Sequence, residues 1–307
     1  MISGNLTRSL AVLILSAPLI VATEAEKGPV FVTASLTDKN SLFIEDLSQD
    51  EIQILEDGQS RKVELMAKDQ LPVAYGLLFD RALFGESWEH ERKTQSGGPT
   101  SARDIAYELI DKYLGRQAIW VGIYDKQLDV ALDFTVDGFS AKNAIQRLHG
   151  PARPAETFLY GGLFSAIQKM NERTEKRRIL IVFLDIVDTE TASRIKPLRN
   201  LLGSSNVELL IVSFASKLGG GRPGLSSQMS EAFLQELARE TAGEALFTAG
   251  YREHMDDISR RLYNRIRTLY TFGFASESPA GKPSQLVIKC SRPGSRVKHH
   301  SVLLRSP

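Results

Sequence analysis

The chain has 307 residues, 42% hydrophobic and 24% charged, with 38 Lys/Arg against 37 Asp/Glu. That composition excludes a disordered, collagen-like or multispan membrane protein, and the charge balance points to neither nucleic acid nor a membrane surface. Cys290 is the single cysteine, which excludes an internal disulfide and a cysteine-based zinc cluster.

Arg8 precedes the apolar run Leu10–Ala22, which contains Pro18 and ends at the polar pair Thr23-Glu24. A basic start, a short hydrophobic stretch and small residues suited to cleavage make residues 1–25 a secretory signal. The run is shorter than the roughly 20 apolar residues that a span requires. The mature chain is therefore expected to be exported, periplasmic or extracellular, with no membrane span left after signal cleavage.

Residues 26–70 read as a small β unit. Pro29–Leu36 is rich in β-branched and aromatic residues, and Ser48 with Glu51 has the form of a helix N-cap for one short turn. Ile52 and Ile54 alternate with polar neighbours, Asp57-Gly58 supplies a tight turn, and Val63 and Leu65 alternate again, which predicts a hairpin.

From residue 71 to 269 the pattern changes. Continuous apolar runs at Val73–Asp80, Ala118–Tyr124, Ile179–Asp185 and Val207–Phe214 are those of strands buried on both faces. Helical spacing separates them, at Ile105, Leu109 and Leu114, at Leu163, Ile167 and Met170, and at Phe233, Leu234 and Leu237. This alternation predicts a doubly wound, mostly parallel α/β sheet of Rossmann-like type. Leu128–Phe134 alternates and follows its neighbour closely, so it is expected as one antiparallel edge strand. A helix from about Glu253 to Leu269 closes the unit, with Ile258, Leu262 and Ile266 on one face.

Residues 270–307 return to strand character at Thr271–Ala275 and Gln285–Cys290. Neither flank is large enough to bury a core alone, so the two are expected to pair into one small β domain. Charge favours this: residues 26–72 hold five Lys/Arg against ten Asp/Glu, and residues 251–307 hold eleven against four. The basic end, with His299 and His300, carries no aromatic platform, so a nucleic-acid partner is not expected. Cys290 lies in a strand pattern and reads as a small buried apolar residue.

Ligands of doubly wound sheets sit at the carboxyl ends of strands, where the topology switches direction. The polar residues there are Asp80, Asp185 and Asp188, with Thr157 at a helix start. No dinucleotide fingerprint, Walker A motif or G-x-S-x-G elbow occurs. Glu86, Ser87, Trp88 and His90 lie in a polar loop after the first buried strand and, together with Asp188, are candidates for contact with a partner. Asp80 and Asp185 also have a plainer reading as caps on nearby loop amides, and Thr157 as a helix N-cap.

Asp80, Thr157 and Asp185 stand in the order and spacing of a von Willebrand factor type A domain, and Thr157-Phe-Leu-Tyr160 resembles the sequence around that family's conserved-site threonine. Leu47–Gly58, with its Glu56-Asp57-Gly58, Tyr270–Phe274 and Lys289–Val297 resemble the flanking stretches of the VWFA-related, Acidobacterial-type secreted subfamily. The resemblance covers about residues 28–305. It implies a metal-ion-dependent adhesion site built on Asp-x-Ser-x-Ser, but Asp80-Arg-Ala-Leu-Phe84 puts Ala82 and Phe84 where the serines belong. Such a degenerate site, left with Asp80, Thr157 and Asp185, is expected to hold no tight cofactor and at most a weakly bound Mg²⁺ or other divalent cation.

The resemblance implies an exported, non-catalytic interaction or adhesion module that binds a protein partner through the loops at the C-terminal edge of its sheet. The second expectation is an exported hydrolase or phosphotransfer enzyme using strand-end aspartates, prompted by Asp185 and Asp188. The third is a structural component of the envelope.

Overall fold

The computed structural model describes residues 29–85, 101–150, 158–184, 195–214, 227–248, 255–279 and 281–304. Strands β1 (Pro29–Thr37), β2 (Ile52–Glu56), β3 (Gln59–Arg61) and β4 (Val63–Lys68) come first. A single 3₁₀ turn, Gln49–Glu51, leads into β2, and the Ser48 N–H donates to the Glu51 carboxylate at 2.9 Å. Asp57 (φ 49°) and Gly58 (φ 81°) turn β2 into β3. Two successive left-handed residues match the right-handed twist of the paired strands.

The expected hairpin partner differs. β2 pairs with Gln59–Arg61, whereas Val63 and Leu65 belong to β4, which pairs with a strand from the far end of the chain. Arg61 explains the switch. Its guanidinium turns inward to the buried Glu56 carboxylate at 2.8 Å, so the apolar alternation restarts only at Val63.

The middle of the chain contributes β5 (Val73–Asp80), β6 (Ala118–Tyr124), β7 (Leu128–Thr135), β8 (Arg177–Leu184), β9 (Glu208–Ser213) and β10 (Glu244–Phe247). They form one sheet in the order β10-β9-β8-β5-β6-β7, parallel throughout except for the antiparallel edge strand β7. Helices α1 (Ala102–Glu108, continued by a π turn over Leu109–Leu114), α2 (Gly138–Gln146) and α6 (Met255–Arg267) contribute to the core on one face. Helices α3 (Leu159–Asn171), α4 (Ile195–Ser205) and α5 (Ser227–Arg239) do so on the other.

Alternation sorts the side chains of β5 between these two cores. Tyr75, Leu77 and Phe79 join the first, and Ala74 and Leu78 the second. Trp120 lies flat within the second, and a Cβ at Gly76 would stand 2.6 Å from its Nε1 and one at Gly122 2.4 Å from its Cζ3. Glycine at both positions is what allows an indole to fit between sheet and helices.

Strands β11 (Leu269–Ala275), β12 (Pro283–Cys290), β13 (Arg296–His299) and β14 (Val302–Leu304) return to the N-terminal strands. They make two four-stranded sheets, β13-β1-β11-β4 and β14-β12-β2-β3. Val32, Leu36, Phe272 and Phe274 from one meet Ile54, Leu286 and Ile288 from the other in a third core. Cys290 is half-buried at the end of β12 rather than fully buried, because its strand ends there and the chain turns out at Ser291.

Glu56 joins the two ends. Its fully buried carboxylate accepts from Ser276 Oγ (2.5 Å), Arg61 Nε (2.8 Å), the Glu277 N–H (3.2 Å) and Ser284 Oγ (3.3 Å). Burial alone would raise its pKa, but these donors more than offset that and hold it below the usual carboxylate value. A second buried carboxylate has no such partners. Glu208, at the start of β9, is 3% exposed and accepts no hydrogen bond among the described residues. Burial pushes its carboxyl up to about 7 against the pull of Arg265 and Arg177.

Two measurements follow from these carboxylates. Replacing Glu56 by Ala leaves Arg61 only the exposed Glu277 carboxylate as an acid partner, deprives two buried serines of theirs, and is expected to cost about 3 kcal/mol in urea unfolding, with both chain ends released to proteolysis. For Glu208 the folded pKa lies above the unfolded value, so its contribution to stability is lost as pH rises from about 4.5 to 7. Relative to Glu208→Gln, the unaltered chain is therefore expected to lose about 3 kcal/mol across that interval in parallel unfolding titrations, with no further change above pH 8.

Candidate functional site

β5 is central, and the chain leaves it first toward β6 and β7 and later returns to β8, β9 and β10 on its other side. The topology therefore switches direction between the carboxyl ends of β5 and β8, the position at which open α/β sheets form their ligand crevice. Phe79 and Phe183 are register partners there, with rings stacked at 4.7 Å, and Asp80 is the last residue of β5.

Asp80 is 0% exposed, and its Oδ1 accepts from the Ala82 N–H at 2.9 Å. The carboxylate thus caps the 3₁₀ turn Arg81–Phe84, which is the plainer of the two roles expected for it. Asp80 is the register partner of Tyr124, which is also fully buried. Both belong to the same side of the sheet as Leu78, the side covered by α3.

Neither residue at the two serine positions offers an oxygen. Ala82 contributes a methyl group. The Phe84 side chain turns into the core beneath the edge, meeting Phe79 edge-on at 5.7 Å with the Arg103 guanidinium 4.6 Å above its ring. It supports the turn from below instead of filling the crevice. Gly150 packs against the same turn: its N–H donates to the Phe84 carbonyl at 3.0 Å, and a Cβ there would stand 2.5 Å from the Gly85 nitrogen.

Arg81 follows Asp80 directly and begins the 3₁₀ turn. Its charge is directed away from Asp80, to Asp125 at 3.1 Å and Asp129 at 3.2 Å. Asp125 in turn accepts the Phe158 N–H on its carbonyl at 2.8 Å, so one residue ties the ends of β5 and β6 to the entry of α3. The N-cap position of α3 is Phe158. Sequence reasoning did not single out Asp125 or Asp129, because their link to Arg81 spans more than forty residues and leaves no local pattern.

Thr157, Asp185, Asp188, Glu86, Ser87, Trp88 and His90 lie outside the described residues. Among the described residues no group of three or more His, Cys, Asp or Glu could hold a metal ion. Asp80, Ala82 and Phe84 together supply one carboxylate, already engaged with a backbone N–H, and this donor set does not fit a tight octahedral cation site.

No family model and no curated protein matches the chain. Solved structures similar to it include a von Willebrand factor type A protein from Catenulispora acidiphila, 12% identical, covering 91% of this chain and 74% of that one at a TM-score of 0.44. An aerotolerance-related membrane protein from Bacteroides fragilis is 14% identical over 63% of this chain and 98% of its own, at a TM-score of 0.44. Proximal thread matrix protein 1 from the mussel byssus, solved with a zinc-occupied MIDAS motif, is 12% identical over 67% of this chain and 48% of its own, at a TM-score of 0.49.

Proposed function

We propose that this chain is an exported, non-catalytic interaction module of von Willebrand A type that binds a protein partner through the loops above the C-terminal edge of its six-stranded sheet. The observation that carries the reading is Asp80, buried at the end of the central strand beside the topological switch point, with no hydroxyl at positions 82 and 84. A strand-end acid in that place marks the crevice, and the missing oxygens favour contact by shape and ordinary polar and apolar groups over a cation bridge. The strands paired from the two chain ends serve as a separate β module that carries this unit.

Partner capture from an envelope extract is expected to survive chelation by EDTA and to fall after Trp88→Ala and His90→Ala are combined. Calorimetric titration with Mg²⁺, Mn²⁺ and Ca²⁺ is expected to give no stoichiometric binding. Tight Mg²⁺ uptake abolished by Asp185→Ala, or turnover of a generic phosphate ester abolished by Asp185→Asn, overturns the proposal.

A further inference from the structure

Beside the C-terminal edge, between β7 and α2, lies a cavity of about 310 Å³. Its floor is apolar, formed by Ile123, Leu132, Ala144 and Leu148. Around it stand Arg81, Asp129, Ser140, Asn143, Arg147 and His149.

Half of these polar groups are already engaged. Arg81 is held by Asp125 and Asp129, so its charge and that of Asp129 cancel locally. Ser140 Oγ donates to Asp137 at 2.5 Å. The carbonyls of Ile145 and Leu148, at the end of α2, are taken by Arg103. Three groups are left over. Among the described residues no hydrogen bond or ion pair is made by the Arg147 guanidinium or the Asn143 side-chain amide. His149 makes one, between Nδ1 and the Arg147 carbonyl at 3.1 Å. With the proton on Nδ1, its Nε2 carries an unused lone pair.

We propose that this cavity binds the C-terminal residue of a peptide, or a free N-acyl amino acid, with an apolar side chain. Each leftover group has a matching part. The guanidinium of Arg147 pairs with the α-carboxylate, as its planar fork of donors suits. Nε2 of His149 accepts the ligand N–H, the Asn143 amide serves the acyl carbonyl, and the apolar floor receives the side chain. The volume is at the lower end of ligand cavities and suits one residue rather than an extended ligand. The cavity is built from the turn after β5, from β6 and β7, and from α2 with the three residues that follow it, so it stands whether or not the loops above the sheet bind a protein.

The test uses N-acetyl-leucine, N-acetyl-leucinamide and a tripeptide ending in leucine, titrated into the whole chain by ligand-observed NMR and calorimetry. N-acetyl-leucine is expected to bind saturably and its amide at least about tenfold more weakly, since the amide forfeits the charge-assisted contact. Arg147→Ala is expected to weaken N-acetyl-leucine by about tenfold or more, and Ala131→Phe, which fills the cavity from exposed β7, to abolish binding. Arg116→Ala, at an exposed arginine elsewhere, is expected to change nothing. Tighter binding of the tripeptide identifies a protein C-terminus as the source, and equal binding identifies the free amino-acid derivative. No saturable binding of any probe, equal binding of acid and amide, or indifference to both cavity variants overturns the proposal.

Discussion

Everything in this molecule depends on the two ends of the chain being held together. β1 runs antiparallel to β11 over seven residue pairs, and β2 to β12 over five. These pairings join residues more than two hundred positions apart, and closing such a loop carries an entropic cost that local strands avoid. Burial of Phe272 and Phe274 against β1 and β12 neighbours offsets it, and the four donors on Glu56 make the closure specific. Arg292 adds a surface clamp, bonding Glu51 at 2.8 Å and Asp46 at 2.7 Å. It holds the Glu51 carboxyl down to about 2, so this clamp weakens only when pH falls below about 4.

Closure of the ends also decides which way the α/β sheet faces. The chain leaves β4 at Lys68, and Tyr270 of β11 is the register partner of that residue. Arg267 bonds Asp69 at 2.9 Å across the same junction. β5 begins at Val73, shortly after it, so the amino ends of the parallel strands stand toward the flanking sheets. Seven residues of strand then carry the chain to Asp80, roughly 23 Å away at about 3.3 Å per residue. The carboxyl edge with Asp80 thus lies at the far end of the strands from the anchored junction.

How much of this is legible in the amino-acid sequence depends on the range over which each signal acts. The apolar runs of β5, β6, β8 and β9 and the alternation of β7 are local, and they predict the sheet and its antiparallel edge. Asp57-Gly58 and the Ser48–Glu51 cap are equally local. Helix α2 leaves a weak trace, because Ala141, Ala144 and Ile145 are its whole buried face. β10 is a four-residue strand whose pattern resembles a loop. The change of sheet between β3 and β4 is hidden for another reason: it rests on Arg61 turning inward to Glu56, and that depends on Ser276 and Ser284 more than two hundred residues away. At the site, the strand-end Asp80 is readable and the absence of hydroxyls at 82 and 84 is explicit. The direction of Arg81 is not, since Asp125 and Asp129 come from a neighbouring strand and its turn.

Polar groups are distributed unequally between the two ends of the parallel strands. At the amino end, Glu208, Arg177 and Arg265 are buried with several atoms unpaired among the described residues, and Arg177 and Arg265 reach the backbone carbonyls of Ile266 and Ala242. Such groups stabilise little, and replacing them with apolar side chains of similar volume is often neutral or favourable. What they do supply is geometry: a guanidinium that must find a carbonyl fixes the angle at which α6 and the turn after α5 meet the sheet. At the carboxyl end the charges of Arg81, Asp125 and Asp129 are paired near the surface, where they add little to stability and constrain only the loops they join. Asp80, the buried charge at the carboxyl edge, is by contrast capped by the Ala82 N–H.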